Sequence, residues 1–274
     1  MTSEKHIKKI TLYVTLAIIM LTFIMPIYWV FVSSLKIPKE YFSSPPVYLP
    51  SEITFSNYIK LFQESETLHH LLNSLIVALV TTAASVGIGS LGAYSLARFK
   101  IGGEYLAFAI LGIYMFPPVT FILPFFIFAQ KLHLYDTRLI LAIVYTGFFL
   151  SFVVWIMRGF FYEIPKELDE AAMIDGCSRI GAFLKVILPL AKPGLVATSL
   201  ICFMFSWNEF LFALILTSTN AKTLPVELGG FITDKALLWG QMSAGGSLAI
   251  IPILALILLL QKYLVRGLTF GAIK

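Results

Sequence analysis

Histidine, cysteine and acidic side chains are the groups in this chain that could perform nucleophilic, acid–base or metal chemistry. None of the four histidines stands in a pattern that pairs it with a serine or cysteine nucleophile. The phosphate-binding motif Gly-x-x-x-x-Gly-Lys-Ser/Thr is also absent from the sequence. We therefore expect that the chain is not an enzyme, that it carries no cofactor of its own, and that it cannot hydrolyse ATP by itself.

A cluster of Glu64, Glu66, His69 and His70 contains residue types that bind metal ions. Adjacent histidines on a helix point towards different faces, however, and the spacing matches no familiar set of ligands. We expect no metal site here and interpret the cluster as the polar edge of a hydrophobic run. One of the two cysteines lies in a charged segment and the other in an apolar one, so a disulfide is not expected either.

Residues 87–92, GIGSLG, match the GxGxxG fingerprint of dinucleotide-binding loops. That fingerprint requires a preceding strand and an accessible loop, whereas here it lies in the middle of a long apolar run. Ser85, Gly89 and Ala93 instead stand four residues apart, a small-xxx-small pattern that lets membrane helices pack closely. We interpret the segment as a helix-packing surface.

The elements that must position these residues are strongly hydrophobic. Of the 274 residues, 58% are hydrophobic and 13% are charged, and the mean hydropathy is +0.88, which indicates a polytopic membrane protein surrounded by lipid. We predict an all-α fold with a single transmembrane domain over residues 1–274. The first apolar run is too long for the core of a signal peptide and is expected to remain as a span. The six predicted spans are residues 10–32, 71–97, 105–128, 139–157, 194–217 and 245–264.

Positive charge predicts the orientation of these spans. With the N-terminus inside, thirteen of the 20 Lys and Arg residues fall on the cytoplasmic side and seven fall outside. Both termini and the connection over residues 158–193 are therefore expected in the cytoplasm. The charges are scattered at the ends of apolar runs without a basic stripe, so the net charge of +5 does not indicate nucleic-acid binding.

Residues 163–189, EIPKELDEAAMIDGCSRIGAFLKVILP, form a charged insert between two apolar runs. Acidic residues follow Pro165, as they do in the first turn of a helix. Gly176 interrupts that helix, and Ser178 can cap a second one. We predict a helix–turn–helix that lies parallel to the membrane surface. Its first helix would present a nearly flat face to another protein, formed by residues at three- and four-residue spacing: Leu168, Ala171, Ala172 and Asp175.

Three motifs resemble one protein family. The pattern of Glu170-Ala171-Ala172, Gly176 and residues 186–189 resembles the EAA signature of permease subunits of binding-protein-dependent ABC importers, with Val186 where the family usually has Ile. Residues 207–214, WNEFLFAL, and residues 267–274, GLTFGAIK, are similar to the carbohydrate branch of that family, in particular to its MalG-like subunits. The resemblance runs from residue 34 to the end of the chain.

The resemblance implies the type I ABC importer permease fold in the cytoplasmic (inner) membrane, and transport of a carbohydrate by alternating access. The implied partners are a second, MalF-like permease, two ABC ATPase subunits that bind ATP and Mg, and an extracytoplasmic solute-binding protein. A helix over about residues 165–181 would dock on the ATPase. Glu170 would be its charged contact, and Ala171, Ala172 and Gly176 would form a surface of close approach. Leu188 and Pro189 would be the junction with the membrane part. The residues implied in this coupling are Glu170, Ala171, Ala172, Asp175, Gly176, Leu188 and Pro189.

Polar residues and prolines inside two apolar runs indicate a transport path. The third run must bend or be interrupted at its three prolines, Pro117, Pro118 and Pro124. The broken helix either lines the path or contains only a packing kink. Asn208 and Glu209 lie within the fifth run beside Trp207. Because polar groups at membrane depth are costly, we expect these two residues either to line the path or to join the two halves of a permease dimer. The alternative is that Glu209 lies near the outer interface. We assign Pro117, Trp207, Asn208 and Glu209 to the path.

The connections at residues 36–70 and 219–244 are expected outside. The first contains four prolines that exclude a long helix until about residues 55–62, and it is interpreted as a structured cap. Aromatic and amide groups in the second suit either sugar recognition or an interfacial belt. In MalG-like subunits this loop reaches into the docked binding protein, so the resemblance implies that contact for Gly229, Gly230, Phe231 and Trp239.

An ion-gradient-driven secondary carrier with Glu209 as its ion site is the alternative function. It explains an acid within the membrane but not the charged insert, and the inverted repeats that many such carriers contain are not evident. The sequence leaves the identity of the sugar open.

Overall fold

The computed structural model describes residues 2–99, 101–232 and 238–269, and within these ranges thirteen α-helices follow one another. Short 3₁₀ turns occur at Pro38–Glu40 and Pro118–Phe121, and a π-helical turn at Phe183–Ile187. Lys100 and Lys235 of the charge count, and residues 270–274 of the C-terminal motif, lie outside the described residues. The helices are α1 (Thr2–Ser34), α2 (Ser56–Glu64), α3 (Thr67–Phe99), α4 (Gly103–Met115), α5 (Ile122–Lys131), α6 (Arg138–Glu163), α7 (Glu167–Ile174), α8 (Arg179–Ala182), α9 (Leu188–Leu190), α10 (Lys192–Trp207), α11 (Leu211–Leu216), α12 (Leu224–Gly229) and α13 (Trp239–Thr269).

Four continuous helices in the described part of the chain, α1, α3, α6 and α13, are long and apolar enough to cross a membrane. They cover the first, second, fourth and sixth predicted spans. Bent helix pairs raise the number of candidate spans among the described residues to as many as six. The all-α membrane fold predicted from the sequence is confirmed, but the third and fifth predicted spans are each divided between two helices.

Prolines divide the third predicted span. Phe116 and Pro117 each precede a proline and have extended ψ values of 137° and 122°, because a following proline disfavours the helical conformation. The helical segments Gly103–Met115 and Pro118–Lys131 consequently meet at 84°. Pro124, also expected to disturb the helix, lies in the first turn of α5, where its missing N–H has no intrahelical partner to lose.

The fifth predicted span consists of α10 and α11, with a break at residues 208–210. The 16 residues of α10 are fewer than the roughly 20 that cross a bilayer, so α11 is needed to complete the span. At its other end α10 meets Arg179–Leu190 at an angle of 80°. The charged segment therefore turns sharply where it joins the span.

The chain divides into two compact units, and the larger contains His69–Val226 with Pro252–Lys274. In this unit α6 packs against α3, α4, α10 and α11. A Cβ atom at Gly89 would lie 2.7 Å from Cγ1 of Val153 on α6, and Ser85 and Ala93 are fully buried. The GxGxxG match is thus a helix-packing surface, as the small-residue spacing predicted.

The smaller unit contains Met1–Leu68 with Glu227–Ile251. The helix expected at about residues 55–62 is confirmed as α2. The Asn57 amide donates to the backbone oxygens of Ser34 and Lys36, at 2.8 and 3.1 Å, and so joins α2 to the turn after α1. The Thr67 hydroxyl donates to Glu227 at 2.6 Å, which joins the start of α3 to α12. These bonds make the predicted cap a structured part of this unit.

Candidate functional site

The helix–turn–helix predicted for the charged segment is present. α7 begins two residues after Pro165 and has three acidic residues in its first turn, where negative charge stabilises the positive end of the helix dipole. Ser178 caps α8, since its hydroxyl oxygen accepts a hydrogen bond from the Gly181 N–H at 3.1 Å. Local sequence therefore determines both helix starts.

Gly176 ends the first of these helices. Its φ of +87° is a left-handed conformation that glycine adopts without strain, and the Cys177 N–H closes the helix end on the Ala172 carbonyl at 3.0 Å. The expected docking helix of residues 165–181 is accordingly wrong in length, because α7 stops at Ile174. No atom lies within 4 Å of a Cβ placed at Gly176, so within this chain the glycine is required by its backbone and not by crowding.

Most of the predicted coupling residues on α7 and its turn point to solvent. Ala172 is an exception: it is only 7% exposed, because it lies on the same helix face as the buried Asp169. It therefore offers little surface for the close approach that the family resemblance implies. Ile174, which the prediction omitted, is 86% exposed and adds an apolar group at the end of α7. The exposed coupling residues are Glu170, Ala171, Asp175 and Gly176.

The remaining two coupling residues, Leu188 and Pro189, lie in α9, immediately before the 80° bend into α10. Leu188 is half-buried and packs against the core that contains Ile187, while Pro189 is exposed. They are located where the charged segment joins the membrane-spanning part, which is the position that the sequence predicted for a junction.

A buried ion pair that sequence analysis missed fixes α7 to the rest of the larger unit. Arg98 Nε lies 2.8 Å from Asp169 Oδ2, and the two side chains are 5% and 9% exposed. The N–H does not point along this line, so the contact is an ion pair rather than a hydrogen bond. The Arg98 guanidinium also donates to the backbone oxygens of Phe161 and Ile164, at 2.8 and 2.9 Å. The hydroxyl of Tyr94 donates to the other carboxylate oxygen of Asp169. One arginine at the end of α3 thus holds the end of α6 and the first turn of α7.

The larger unit also contains a cavity of about 310 Å³ beside the two helix breaks. Pro118, at the break in the third run, and Glu209, at the break in the fifth, both line it. The Glu209 carboxylate accepts the backbone N–H groups of Phe212 and Ala213, at 2.9 and 3.2 Å, and so caps α11. Aromatic side chains form most of the remaining wall: Tyr114, Tyr145, Phe148, Phe149 and Phe212. The cavity therefore combines aromatic faces with one carboxylate.

The other residues assigned to the path have different surroundings. Trp207 is only 2% exposed and stacks on Phe203 with ring centroids 5.7 Å apart, so it packs within the core of the larger unit. Asn208 is exposed and donates to the Met204 carbonyl at 2.8 Å at the end of α10. Pro117 does not line the cavity, whereas its neighbour Pro118 does.

The residues predicted to contact a binding protein are located in the smaller unit. Gly229 ends α12, and Gly230 and Phe231 continue its last turn through backbone hydrogen bonds to residues 227 and 228. Gly229 and Trp239 line a common apolar cavity of about 340 Å³, and Trp239 also lines a second, more polar cavity. The structure thus brings these two residues together on the wall of one cavity.

Asp136, which sequence analysis also missed, organises the loop that precedes α12. Its carboxylate accepts the backbone N–H groups of residues 218–221 at 2.9 to 3.2 Å. Burial raises the pKa of Asp136, but these four donors outweigh burial and lower it to about 2. Its φ of +58° is one that Asp tolerates better than most residues.

Similarity to known proteins identifies the family of this chain. Residues 85–270 match the family described as binding-protein-dependent transport system inner membrane component. The chain belongs to this family. It is accordingly a multi-pass inner-membrane permease, and in ABC transporters of this kind a separate subunit carries the ATPase activity.

Similar proteins support the assignment over the full length of the permease. The trehalose/maltose transport system permease protein MalG of Thermococcus litoralis is 36% identical over 277 residues, covering 99% of each chain. The trehalose transport system permease protein SugB of Mycobacterium tuberculosis is 37% identical over 255 residues, covering 92% of each chain. A chain from the crystal structure of a bacterial ABC transporter that imports the acidic polysaccharide alginate superposes with a TM-score of 0.76 at 27% identity, covering 95% of this chain and 98% of that one.

Proposed function

We propose that this permease forms one half of the transmembrane pathway of an ATP-driven carbohydrate importer, together with a second, MalF-like permease. Two ABC ATPase subunits and an extracytoplasmic solute-binding protein complete the complex. The two relatives carry trehalose or maltose in their names, and the similar structure belongs to an alginate importer. These substrates share the chemistry of a saccharide, which supports a carbohydrate as the transported molecule.

The exposed face of helix α7 is the observation that carries this proposal, because it presents Glu170 and Ala171 of the EAA motif to a partner. Both chain termini and α7 lie in the cytoplasm, as the charge distribution favours. There, Glu170 makes the charged contact with the ATPase, and Ala171 and Gly176 allow its surface to approach closely. Ile174 adds apolar contact area at the helix end.

The Arg98–Asp169 pair makes α7 move with the membrane-spanning helices. When the ATPase dimer closes on ATP, a force on α7 reaches α3 through the ion pair and α6 through the carbonyls that Arg98 holds. A helix attached only by a flexible loop would absorb the same movement. The spans then rotate as rigid bodies and change access from one side of the membrane to the other.

The saccharide passes the cavity at the two helix breaks. Broken helices line substrate sites in membrane transporters because their freed backbone groups are tolerated only in protein or beside water. Aromatic rings pack against the C–H face of a sugar, and the Glu209 carboxylate accepts from hydroxyl groups. In this proposal Glu209 has two roles: it caps α11 and contacts the sugar.

Uptake into proteoliposomes tests the proposal. The complex purified with its binding protein is reconstituted with ATP inside, and uptake of maltose, trehalose and longer glucose oligomers is measured. We expect uptake of at least one saccharide that depends on ATP and on the binding protein. The variant Glu209→Gln has one carbonyl oxygen in place of two carboxylate oxygens, so it keeps an acceptor for only one of the two N–H groups and loses the charge. We expect slower uptake. Uptake that needs an ion gradient and no ATP would instead support the secondary carrier.

A further inference from the structure

A second cavity, in the smaller unit, has no role in the coupling or path described above. Its volume is about 330 Å³, at the lower end of the range of small-molecule sites. It lies between the turn after α1, one face of α2 and the first residues of α13, and it shares no lining residue with the cavity at Glu209.

Aromatic side chains form one part of its wall. Phe42 and Trp239 pack edge to face with ring centroids 6.3 Å apart, and they are 77% and 37% exposed. This exposure leaves ring surface open to a ligand. Tyr41 adds a third ring beside them.

Polar groups converge on the same space. Lys60 and Glu64 lie four residues apart on α2, so their side chains stand on one face of the helix. Gln241, which is 9% exposed, donates to Glu64 at 2.7 Å and orients its carboxylate. The cavity thus offers a positioned acceptor and a cationic donor, and their charges cancel.

The floor of the cavity is closely packed and fixed. The Asn57 amide donates to two backbone oxygens and to the Tyr41 hydroxyl, at 2.8 to 3.1 Å. The Asn57 carbonyl oxygen and the Tyr41 hydroxyl together occupy the space that a Cβ at Gly240 would need. The site is therefore built by packing and hydrogen bonds before any ligand binds.

We propose that this cavity binds one pyranose ring of a neutral saccharide. Aromatic rings accept the C–H face of a sugar, and a carboxylate with an ammonium group accepts from and donates to neighbouring hydroxyls. The net charge of zero disfavours phosphate esters and other ions, and the polar face disfavours a lipid tail. By contrast, the neighbouring 340 Å³ cavity, lined by Trp29, Ile232 and Met242, is mainly apolar.

This inference rests on the proposed carbohydrate function and on the outside location of the cap. The site would hold the sugar after the binding protein releases it and before it enters the path. It gives Trp239 a saccharide contact in place of the binding-protein contact that the family resemblance implied.

Saturation-transfer NMR on the purified importer without its binding protein tests the site, with maltose and trehalose as probes. We expect binding that Trp239→Ala and Glu64→Gln each weaken about tenfold, from the loss of stacking or of a charged acceptor. Trp239→Phe should restore much of the affinity. Glu66→Gln, a nearby acid that does not line the cavity, should bind like the wild type.

Equal binding by all four variants, in an importer that still takes up sugar, would overturn the site and leave the proposed function standing. Loss of binding-protein attachment in Trp239→Ala with unchanged saccharide binding would overturn it in favour of a protein contact. Absence of saccharide uptake by the wild-type complex would refute the proposed function itself, and the site with it.

Discussion

Breaking the Arg98–Asp169 pair should loosen the connection between α7 and the spans. Both side chains are nearly inaccessible, so removal of one partner leaves a buried charge without its counterpart, at a cost of about 3–5 kcal/mol in such sites. In Asp169→Asn the arginine still donates to two backbone oxygens, which places this variant at the lower end of that range.

Arg98→Met should cost more than Asp169→Asn. It leaves the carbonyls of Phe161 and Ile164 without their donor, at roughly 1–3 kcal/mol for each group that water cannot reach. The carboxylate of Asp169 would keep only the hydroxyl of Tyr94 as a partner. The expected order of destabilisation is therefore Arg98→Met, then Asp169→Asn, then Glu167→Gln, an exposed acid in the same helical turn that serves as the matched control.

The assay combines thermal unfolding of the purified complex with two rates in proteoliposomes, ATP hydrolysis and sugar uptake. We expect Asp169→Asn to reduce the sugar taken up per ATP hydrolysed, because ATPase closure would move α7 without moving α3 to the same extent. A double variant, Arg98→Met with Asp169→Asn, should unfold at a higher temperature than the sum of the two single effects would give. Additive changes in unfolding temperature, together with an unchanged ratio of uptake to hydrolysis in Asp169→Asn, would refute the coupling role of the Arg98–Asp169 pair.

Three further predictions follow from single sites. Gly176→Leu places a leucine in a left-handed conformation, at a cost of about 1–2 kcal/mol, but its side chain has open space within this chain. We therefore expect the variant to insert into the membrane and to hydrolyse ATP without coupled uptake. Normal uptake would contradict the docking role. Gly89→Leu should prevent α3 from packing on α6 and lower the yield of folded protein. Gly87→Leu is the control, because a Cβ at Gly87 has open space around it and the yield should not change. Equal yields of the two variants by size-exclusion chromatography would count against this packing. Asp136→Asn should speed amide hydrogen exchange in residues 218–221. The folded pKa of Asp136, about 2, is below the ordinary value of 3.8. The protection that its charge supplies is therefore complete well above pH 3.8 and is lost as the pH falls through 2. The exchange rates of variant and wild type should differ at pH 7 and converge near pH 2.

The features that sequence predicted best are those set by neighbouring residues. The starts of α7 and α8 follow from Pro165 and Ser178, and the end of α7 follows from the left-handed conformation at Gly176. The apolar runs predicted the long helices for the same reason, since about 20 apolar residues are enough to specify a span. Family motifs then supplied the function, which local patterns alone do not give.

The features that sequence missed depend on residues far apart in the chain. In the sequence, Arg98 is only a cationic residue at the end of an apolar run, and nothing indicates that it meets Asp169, 71 residues later. Ala172 shares a helix face with Asp169, and knowledge of that pair would have shown that it points inward. Similarly, the sequence identifies Glu209 as an acid at membrane depth but does not predict that it caps α11. That cap depends on the helix break before α11, which only the tertiary structure reveals.

We propose that α7 is the surface through which this permease binds its ATPase. The most direct measurement is mild-detergent purification of the tagged chain from its native membrane, with quantification of the proteins that copurify. We predict that an ATPase and a second permease accompany the wild type, and that replacing Glu170 with Ala and Gly176 with Leu together removes the ATPase but keeps the permease. The docking role of α7 would be contradicted by a correctly folded chain that copurifies with no ATPase, or by a double variant that retains the ATPase in full.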